Sequence, residues 1–208
     1  MNQKHLYRTV AALHIANINQ GFLATLGVGF VSLMYRAIDE GDTSVLLVAH
    51  VDGGAVGFVA GATGMLPIYK RMLHYWPQLI WALLPSLFLP QRVWRIIEIL
   101  RYSRGSGKTT GAELPAAELL SIAVAPAYRG NHHAEELYKK LCQHFLGQGL
   151  PAFKIVVGSV LTPAHKFYGR MGAQAAGEIK LHGGSISTIY VQTLPWAPLS
   201  PTNSNGSF

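Results

Sequence analysis

The chain has 208 residues, of which 50% are hydrophobic, and it carries one cysteine and a net charge of +7. This length suits one domain with one core, and a lone Cys142 excludes an internal disulfide, so we expect a cytoplasmic protein. The charge favours an anionic partner, but no Lys/Arg-rich run or known motif points to nucleic acid. Two uncharged apolar runs, 21–35 and 79–90, are shorter than the roughly 20 residues that span a bilayer.

The first half of the chain predicts a strand, a helix and a hairpin. Weak alternation over residues 6–20 favours a first strand leading into a loop. Apolar residues then recur at helical spacings of three and four, and they are Leu26, Phe30, Leu33, Met34 and Ile38. Two β-rich runs within residues 44–64 meet at Asp52-Gly53-Gly54, a turn sequence that favours an antiparallel hairpin.

Residues 67–104 differ from their surroundings, and we interpret them as a helical insertion. Prolines cut the segment into short helices, and basic residues stand between large aromatic ones, which are Tyr69, Trp76, Trp81, Phe88 and Trp94. These aromatic side chains either pack into the core or form an exposed lid or membrane-facing patch. The glycine-rich stretch 103–115 is a polar connector, because its GSGKTT lacks the first glycine of a phosphate-binding P-loop.

The second half alternates strand and helix, which predicts a parallel or mixed sheet. The predicted segments are a strand at 118–124, a helix at 134–149, a strand at 153–161, a helix capped by Thr162 with Pro163 in its first position, and a hairpin within 177–194. In the longer helix Leu137, Leu141 and Phe145 form an apolar stripe, so we interpret Cys142 beside them as a core residue. We expect a single domain over 1–194 and a disordered tail over 195–208.

The sequence YRGNHHAEEL, residues 128–137, lies between a predicted strand and a predicted helix. A helix start has about four backbone N–H groups without partners and a partial positive charge, so it binds anions. Gly130 permits a tight turn, Arg129 adds a positive charge, and Ala134 keeps the helix start uncrowded, which predicts a diphosphate site. Adjacent histidines on a helix point about 100° apart, so His132 and His133 predict no metal site.

The stretch ELLSIAVAPAYRGNHHAEEL, followed by TPAHKFYGRMGA, resembles the acetyl-CoA-binding half of the GNAT superfamily of acyl-CoA N-acyltransferases. The resemblance covers residues 116–175 and implies a mixed, strongly twisted α/β sheet flanked by helices. The family's Q/R-x-x-G-x-G/A turn maps onto Arg129, His132 and Ala134, with His132 in place of the middle glycine. The resemblance therefore implies that the cofactor diphosphate is held by Arg129, Gly130, Asn131, His132, His133 and Ala134.

The same resemblance implies the remaining cofactor contacts and a general acid. In the family, main-chain groups at the end of the preceding strand bind the pantetheine arm, which here means Ile122, Ala123 and Val124. A tyrosine in an F-Y-x-x-x-G pattern protonates the leaving thiolate, and Tyr168 stands in such a pattern. We expect transfer of an acetyl group from acetyl-CoA to a primary amine of a small molecule, by direct attack in a ternary complex and without a metal.

The general base is less well defined by the sequence. Glu118 lies on the binding strand, and twofold alternation predicts that it shares a face with Leu120, Ile122 and Val124. A carboxylate there could take the amine proton directly or through water. His132 or His133 could serve instead, because neutral imidazole is a usable base near pH 7. Glu118 could equally be a solvated residue at the end of the strand.

The first half carries a less specific resemblance, through FLATLGVGFVSLMYRAI, VGFVAGATG and YKRMLHYW. It is similar to GNAT proteins of bacterial envelope-polysaccharide pathways, which implies an amino sugar on a nucleotide carrier as acceptor. Two alternatives stay open. Because His132 replaces a family glycine, the chain could be a non-catalytic interaction module, and residues 67–104 could hold an acyltransferase at a membrane surface. The sequence also leaves open whether two copies form a homodimer.

Overall fold

A computed structural model of the protein describes residues 2–18, 22–87, 114–180 and 186–196. The strands in these ranges are β1 Ser44–Val51, β2 Gly54–Ala62, β3 Glu118–Val124, β4 Ala152–Gly158, β5 Gln174–Lys180 and β6 Ile186–Thr193. They form a sheet in the order β1-β2-β3-β4-β6-β5, in which every neighbouring pair is antiparallel except β3 and β4. The predicted mixed sheet is confirmed.

Helices cover both faces of this sheet. They are α1 Gln3–Asn17, α2 Gly27–Asp39, α3 Leu66–Leu73, α4 Trp76–Leu87, α5 His133–Gly147 and α6 Thr162–Arg170, with short 3₁₀ turns at Phe22–Leu26 and Pro126–Tyr128. One core lies between the sheet and α1 to α3, around Phe58 and Tyr35. A second core lies on the other face against α5 and α6, around Phe145 and Phe153.

The strand predicted over residues 6–20 is wrong, because this segment forms helix α1. Its buried side chains are Tyr7, Val10, Ala11 and His14, which recur at spacings of three, four and seven as one face of a helix requires. The side chain of Asn2 caps the helix by accepting a hydrogen bond from the backbone N–H of Lys4 at 3.1 Å. Polar residues on the outer face produced the weak alternation that suggested a strand.

Several other predicted elements are confirmed. The helix predicted from Leu26 onwards is α2, with Phe30, Met34 and Ile38 buried. Asp52 and Gly53 form the two-residue turn of the β1–β2 hairpin. In α5 the predicted apolar stripe is buried, and Cys142 lies among it.

One predicted cap is wrong. Helix α6 begins at Thr162 itself, after Leu161, and no side chain caps it. A proline lacks the N–H that an early helical position would leave unpaired, so Pro163 is accommodated within the first turn and the helix can start one residue earlier than expected.

The described part of the predicted insertion consists of α3 and α4. One side of α4 packs on the first core through Leu79, Ala82 and Leu83. Its other side is exposed, with Trp76 and Trp81 at 63% and 74% of full accessibility.

Residues 88–104 of the insertion, the connector up to residue 113 and the tail from residue 197 lie outside the described residues. The tail was predicted to begin at residue 195, but Trp196 packs on the second core and its Nε1 donates to the carbonyl of Met171 at 2.8 Å. Within the described ranges, none of the helices has both the length and the hydropathy needed to cross a bilayer.

Candidate functional site

The sheet opens between β3 and β4. These strands pair only where Glu118 lies beside Lys154 and Leu119 beside Ile155. They then diverge, because β3 continues along β2 while β4 continues along β6. The divergence leaves a cavity of about 580 Å³, lined by β3, β4, α6, the start of α5 and the last turn of α1.

A bulge in β3 changes which of its side chains face which helices. Ala60 of β2 lies opposite Ser121, but its neighbour Gly61 lies opposite Leu119, so Leu120 is an extra residue without a partner. Such a bulge shifts the twofold alternation of the strand by one residue. Alternate residues of β3 therefore cannot be counted through the bulge to decide which face of the sheet each side chain occupies.

The prediction that Glu118 shares a face of the sheet with Ile122 and Val124 is wrong for this reason. Ile122 and Val124 pack towards α5, whereas Glu118 faces the opposite core, near Tyr69. Its carboxylate lies 3.5 Å from Nζ of Lys154. Burial raises the pKa of Glu118, against the opposing effect of that lysine. Glu118 is not among the described residues that line the cavity, and its role as base stays a prediction.

The main chain of β3 offers hydrogen-bonding groups to the cavity. The N–H of Ala125 donates to the carbonyl of Val56 on β2 at 2.8 Å. Because the direction of the backbone groups alternates along a strand, Ala123 also faces β2, whereas Ile122 and Val124 face the side on which β4 has diverged. Two of the three predicted pantetheine-binding residues therefore present their N–H and C=O groups to the cavity.

The predicted diphosphate turn forms the start of α5. Gly130 and His132 adopt positive φ values of +83° and +57°, and no side chain caps the helix. The described residues provide no hydrogen-bond partner for the backbone N–H groups of residues 130–135. Consecutive unpaired amides at the positive end of a helix form a binding site for an anion.

Arg129 lies beside this turn and also lines the cavity. Its Nε donates to the carbonyl of Val124 at 3.1 Å, and its Nη2 donates to Oδ1 of Asn17, at the end of α1, at 2.6 Å. The guanidinium therefore bridges β3 and α1. It has further N–H donors with which it could contact an anion.

The histidine that replaces the family glycine lies outside the cavity wall. His132 is exposed and is not among the described lining residues. It adopts the left-handed conformation that glycine adopts without steric penalty. Within the described part of the chain, no group of three or more His, Cys, Asp or Glu side chains could hold a metal ion.

Replacing His132 with glycine is expected to stabilise the protein by up to about 1 kcal/mol. A non-glycine residue in this conformation costs roughly 1–2 kcal/mol, and the entropy of glycine in the unfolded chain offsets part of the gain. Denaturant-induced unfolding measures the change. Gly130→Ala introduces a side chain at positive φ and should shift the free energy of unfolding in the opposite direction. A less stable His132→Gly variant would mean that the His132 side chain makes a stabilising contact.

Tyr168 lies on α6 in the wall of the same cavity. The residue is only 5% exposed, and its ring packs against Tyr138 and Tyr190 at centroid distances of 6.1 and 6.2 Å. Burial raises the pKa of Tyr168 above its ordinary value, so the hydroxyl keeps its proton at neutral pH. A protonated hydroxyl facing the cavity is what a general acid requires.

One polar group in this cavity was not predicted from the sequence. His14 on α1 is 4% exposed and lines the cavity. Its Nδ1 lies 2.6 Å from the hydroxyl of Tyr35 on α2, and that hydroxyl lies 2.9 Å from Oγ of Ser121 on β3. The His14 ring also stacks on Phe58 at 6.4 Å. These contacts hold the imidazole in a fixed orientation.

The burial of His14 predicts a pH-dependent stability. Burial lowers the pKa of His14 from its ordinary 6.5 to about 4, so in this range the unfolded chain binds a proton that the folded protein does not. The free energy of unfolding should therefore fall as pH decreases from about 6.5 to about 4, by up to about 1.4 kcal/mol per pH unit for this group. His14→Gln should remove this contribution, as urea unfolding of both proteins over that range would show. An equal acid dependence in both proteins would contradict the assignment.

Comparison with known proteins places the chain in a family. Residues 17–173 match the family model described as "Acetyltransferase (GNAT) family". An acetyltransferase of known crystal structure is 14% identical, with a TM-score of 0.57 over 91% of this chain and 95% of that chain. An N-acetyltransferase from Staphylococcus aureus Mu50 is 12% identical, with a TM-score of 0.57 over 91% and 93%. These two likenesses concern the fold. No curated protein matches the sequence.

Proposed function

The chain belongs to the GNAT family of acyl-CoA-dependent N-acetyltransferases, and we propose that it moves an acetyl group from acetyl-CoA to a primary amine of a small molecule. The observation that carries this proposal is that one continuous cavity lies between β3 and β4. Its wall contains Tyr168 and the free edge of β3, and it extends to Arg129 and the start of α5. An anion site, a polar strand edge and a proton donor are therefore contiguous.

The groups along the cavity suit the parts of acetyl-CoA. The unpaired amides of residues 130–135 and the guanidinium of Arg129 would hold the diphosphate. The N–H and C=O groups of Ile122 and the C=O group of Val124 would pair with the polar groups of the pantetheine arm. Bound in this way, acetyl-CoA supplies a thioester next to α6.

The residues of the chain would then promote direct attack by the amine. The N–H of Val124 would hold the carbonyl oxygen of the thioester, because negative charge develops there. The hydroxyl of Tyr168 would donate its proton to the departing sulfur. Holding both reactants in one cavity removes the need for a covalent enzyme intermediate.

None of the residues predicted from the sequence as base lies where it could take the proton of the amine directly. The carboxylate of Glu118 has a raised pKa, which suits a base, but it is paired with Lys154 and lies outside the cavity wall. His132 lies outside the wall as well, and so does His133. A base among these three residues would have to act through water.

We propose a small amine as the acceptor. The resemblance in the first half of the chain suggests that this amine is an amino sugar. The net charge of +7 would favour a nucleotide-linked sugar, since it carries negative charge. Contact with a membrane surface also stays a prediction, and the exposed Trp76 and Trp81 on α4 favour it. A homodimer stays a prediction too.

Calorimetry with acetyl-CoA tests the proposal at its first step. We expect saturable binding, and Arg129→Ala should weaken it about tenfold, the effect of losing a charged hydrogen bond of roughly 1.4 kcal/mol. Arg71→Ala is the matched control, since Arg71 on α3 pairs with the exposed Asp42 and does not line the cavity. Absence of binding at millimolar acetyl-CoA would support the alternative of a non-catalytic module. A scan of small amines and amino sugars for acetyl-CoA-dependent thiol release then identifies the acceptor.

A further inference from the structure

A ring nitrogen in the cavity has no partner in the described part of the chain. Nδ1 of His14 is engaged with the hydroxyl of Tyr35, whereas Nε2 has no hydrogen-bond partner among the described residues. With the proton on Nδ1, His14 donates to Tyr35, Tyr35 donates to Ser121, and Nε2 keeps a free lone pair. Because the ring lines the cavity, a ligand there can reach this lone pair.

The described cavity wall carries no negative charge. Among its lining residues the only full charge is on Arg129, and there is no carboxylate. The carboxylate predicted as base, on Glu118, is paired with Lys154 and is not among the described lining residues. An ammonium group entering this cavity would lose its hydration and gain no carboxylate partner from the described wall, which is unfavourable. An uncharged amine meets no such penalty.

We propose that Nε2 of His14 accepts the proton of an acceptor amine that binds in the cavity in its uncharged form. The inference rests on the proposed acetyl transfer. The amine nitrogen forms a bond to the acetyl carbon and gives one proton to Nε2, while the carbon–sulfur bond breaks and sulfur takes the proton of the Tyr168 hydroxyl. The imidazolium then returns its proton to the tyrosinate through solvent, so both groups regain their starting state.

The surroundings of His14 suit this role. Tyr35 is a positioning residue, because it fixes the orientation of the ring and the nitrogen that carries the proton. Among the described residues, the titratable Tyr35 on α2 contacts the ring, and Arg129 and Tyr168 line the same cavity. Phe58 on β2, which stacks on the ring, does not titrate. Burial keeps His14 neutral at pH 7. A weak base is sufficient, because the amine nitrogen becomes much more acidic once it bonds to the carbonyl carbon.

Two small nucleophiles of similar size test the proposal. Hydroxylamine is largely uncharged at pH 7, and methylamine is almost entirely a cation. With acetyl-CoA and wild-type protein, kcat/KM for methylamine should rise about tenfold per pH unit between about pH 6 and 9, as its uncharged form becomes available, while kcat/KM for hydroxylamine should change little above pH 7. A kcat/KM for methylamine that does not depend on pH would overturn the uncharged-amine part of the proposal.

Variants of the wall test the role of His14 itself. His14→Gln should lower kcat for hydroxylamine about 10²-fold, with unchanged KM and unchanged acetyl-CoA affinity by calorimetry. Tyr35→Phe should lower kcat by a smaller factor, while His5→Gln, on the exposed side of α1, should leave it unchanged. The proposal would be overturned if kcat is unchanged in His14→Gln, or if Glu118→Gln is the only variant in which kcat falls. If His14→Gln does not fold, unchanged kcat in Tyr35→Phe overturns it.

The same experiments separate this inference from the function on which it rests. Wild-type protein that binds acetyl-CoA but releases no thiol with hydroxylamine, methylamine or any amine of the scan would contradict both acetyl transfer and the role of His14. Acetylation that is insensitive to His14 and Tyr35 would contradict the role of His14 alone.

Discussion

Tyr168→Phe is expected to lower kcat about 10²-fold while leaving acetyl-CoA affinity unchanged. The substitution removes only the hydroxyl that would protonate the departing sulfur, and loss of a general acid has an effect of this size. The hydroxyl has no hydrogen-bond partner among the described residues, and the ring keeps its packing against Tyr138 and Tyr190. Steady-state kinetics with the acceptor found by the amine scan, together with calorimetry, measure both quantities.

Tyr138→Phe is the control for this experiment. Tyr138 is fully buried next to Tyr168, but its hydroxyl donates to Gln192 at 2.9 Å and it does not line the cavity. Loss of the Tyr138 hydroxyl should lower the free energy of unfolding by about 1 kcal/mol without lowering kcat. If Tyr168→Phe turns over as fast as wild type, Tyr168 is not the acid. If both variants lose activity equally, the effect arises from packing.

Phe145→Ala is expected to destabilise the protein by about 3–5 kcal/mol, the range for truncating a buried phenylalanine. Phe145 is fully buried on α5, and its ring lies 5.2 Å from that of Phe153 on β4. It also packs where a Cβ at Gly61 of β2 would lie only 2.7 Å from its Cζ, so α5 contacts the sheet closely at this point. Removing the ring leaves a cavity that neighbouring backbone cannot easily fill.

The neighbouring residue provides the control for Phe145→Ala. Leu146 is 45% exposed, so Leu146→Ala should change the free energy of unfolding by no more than about 0.5 kcal/mol. Urea unfolding of both variants measures the difference. Similar losses in the two variants would mean that helix propensity, rather than burial in the second core, sets the stability of α5.

The second half of the chain could be predicted well because its signals are local. The spacing of Leu137, Leu141 and Phe145 defines the buried face of α5 without knowledge of its neighbours. The turn that holds Gly130 can be assigned from adjacent residues in the same way. The strand–helix alternation likewise determined the mixed sheet around β3 and β4.

The features that the sequence did not reveal depend on contacts between distant segments. The bulge at Leu120 arises from the pairing of β2 with β3, so counting along β3 alone assigned Glu118 to the wrong face. His14 was overlooked because α1 was assigned to a strand, although Tyr7, Val10 and His14 have helical spacing. Its partner Tyr35 is hydrogen-bonded in turn to Ser121, which is 86 residues further along the chain, and no local pattern joins them.

The bridge made by Arg129 couples the two ends of the site energetically. Its guanidinium holds Asn17 at the end of the helix that carries His14. An anion held by the remaining N–H donors of this guanidinium would restrict its position, and so would alter the free energy with which the end of α1 is held. Coupling between two sites is reciprocal. An acceptor that fixes α1 must therefore change the affinity for the cofactor by the same factor by which the cofactor changes the affinity for the acceptor.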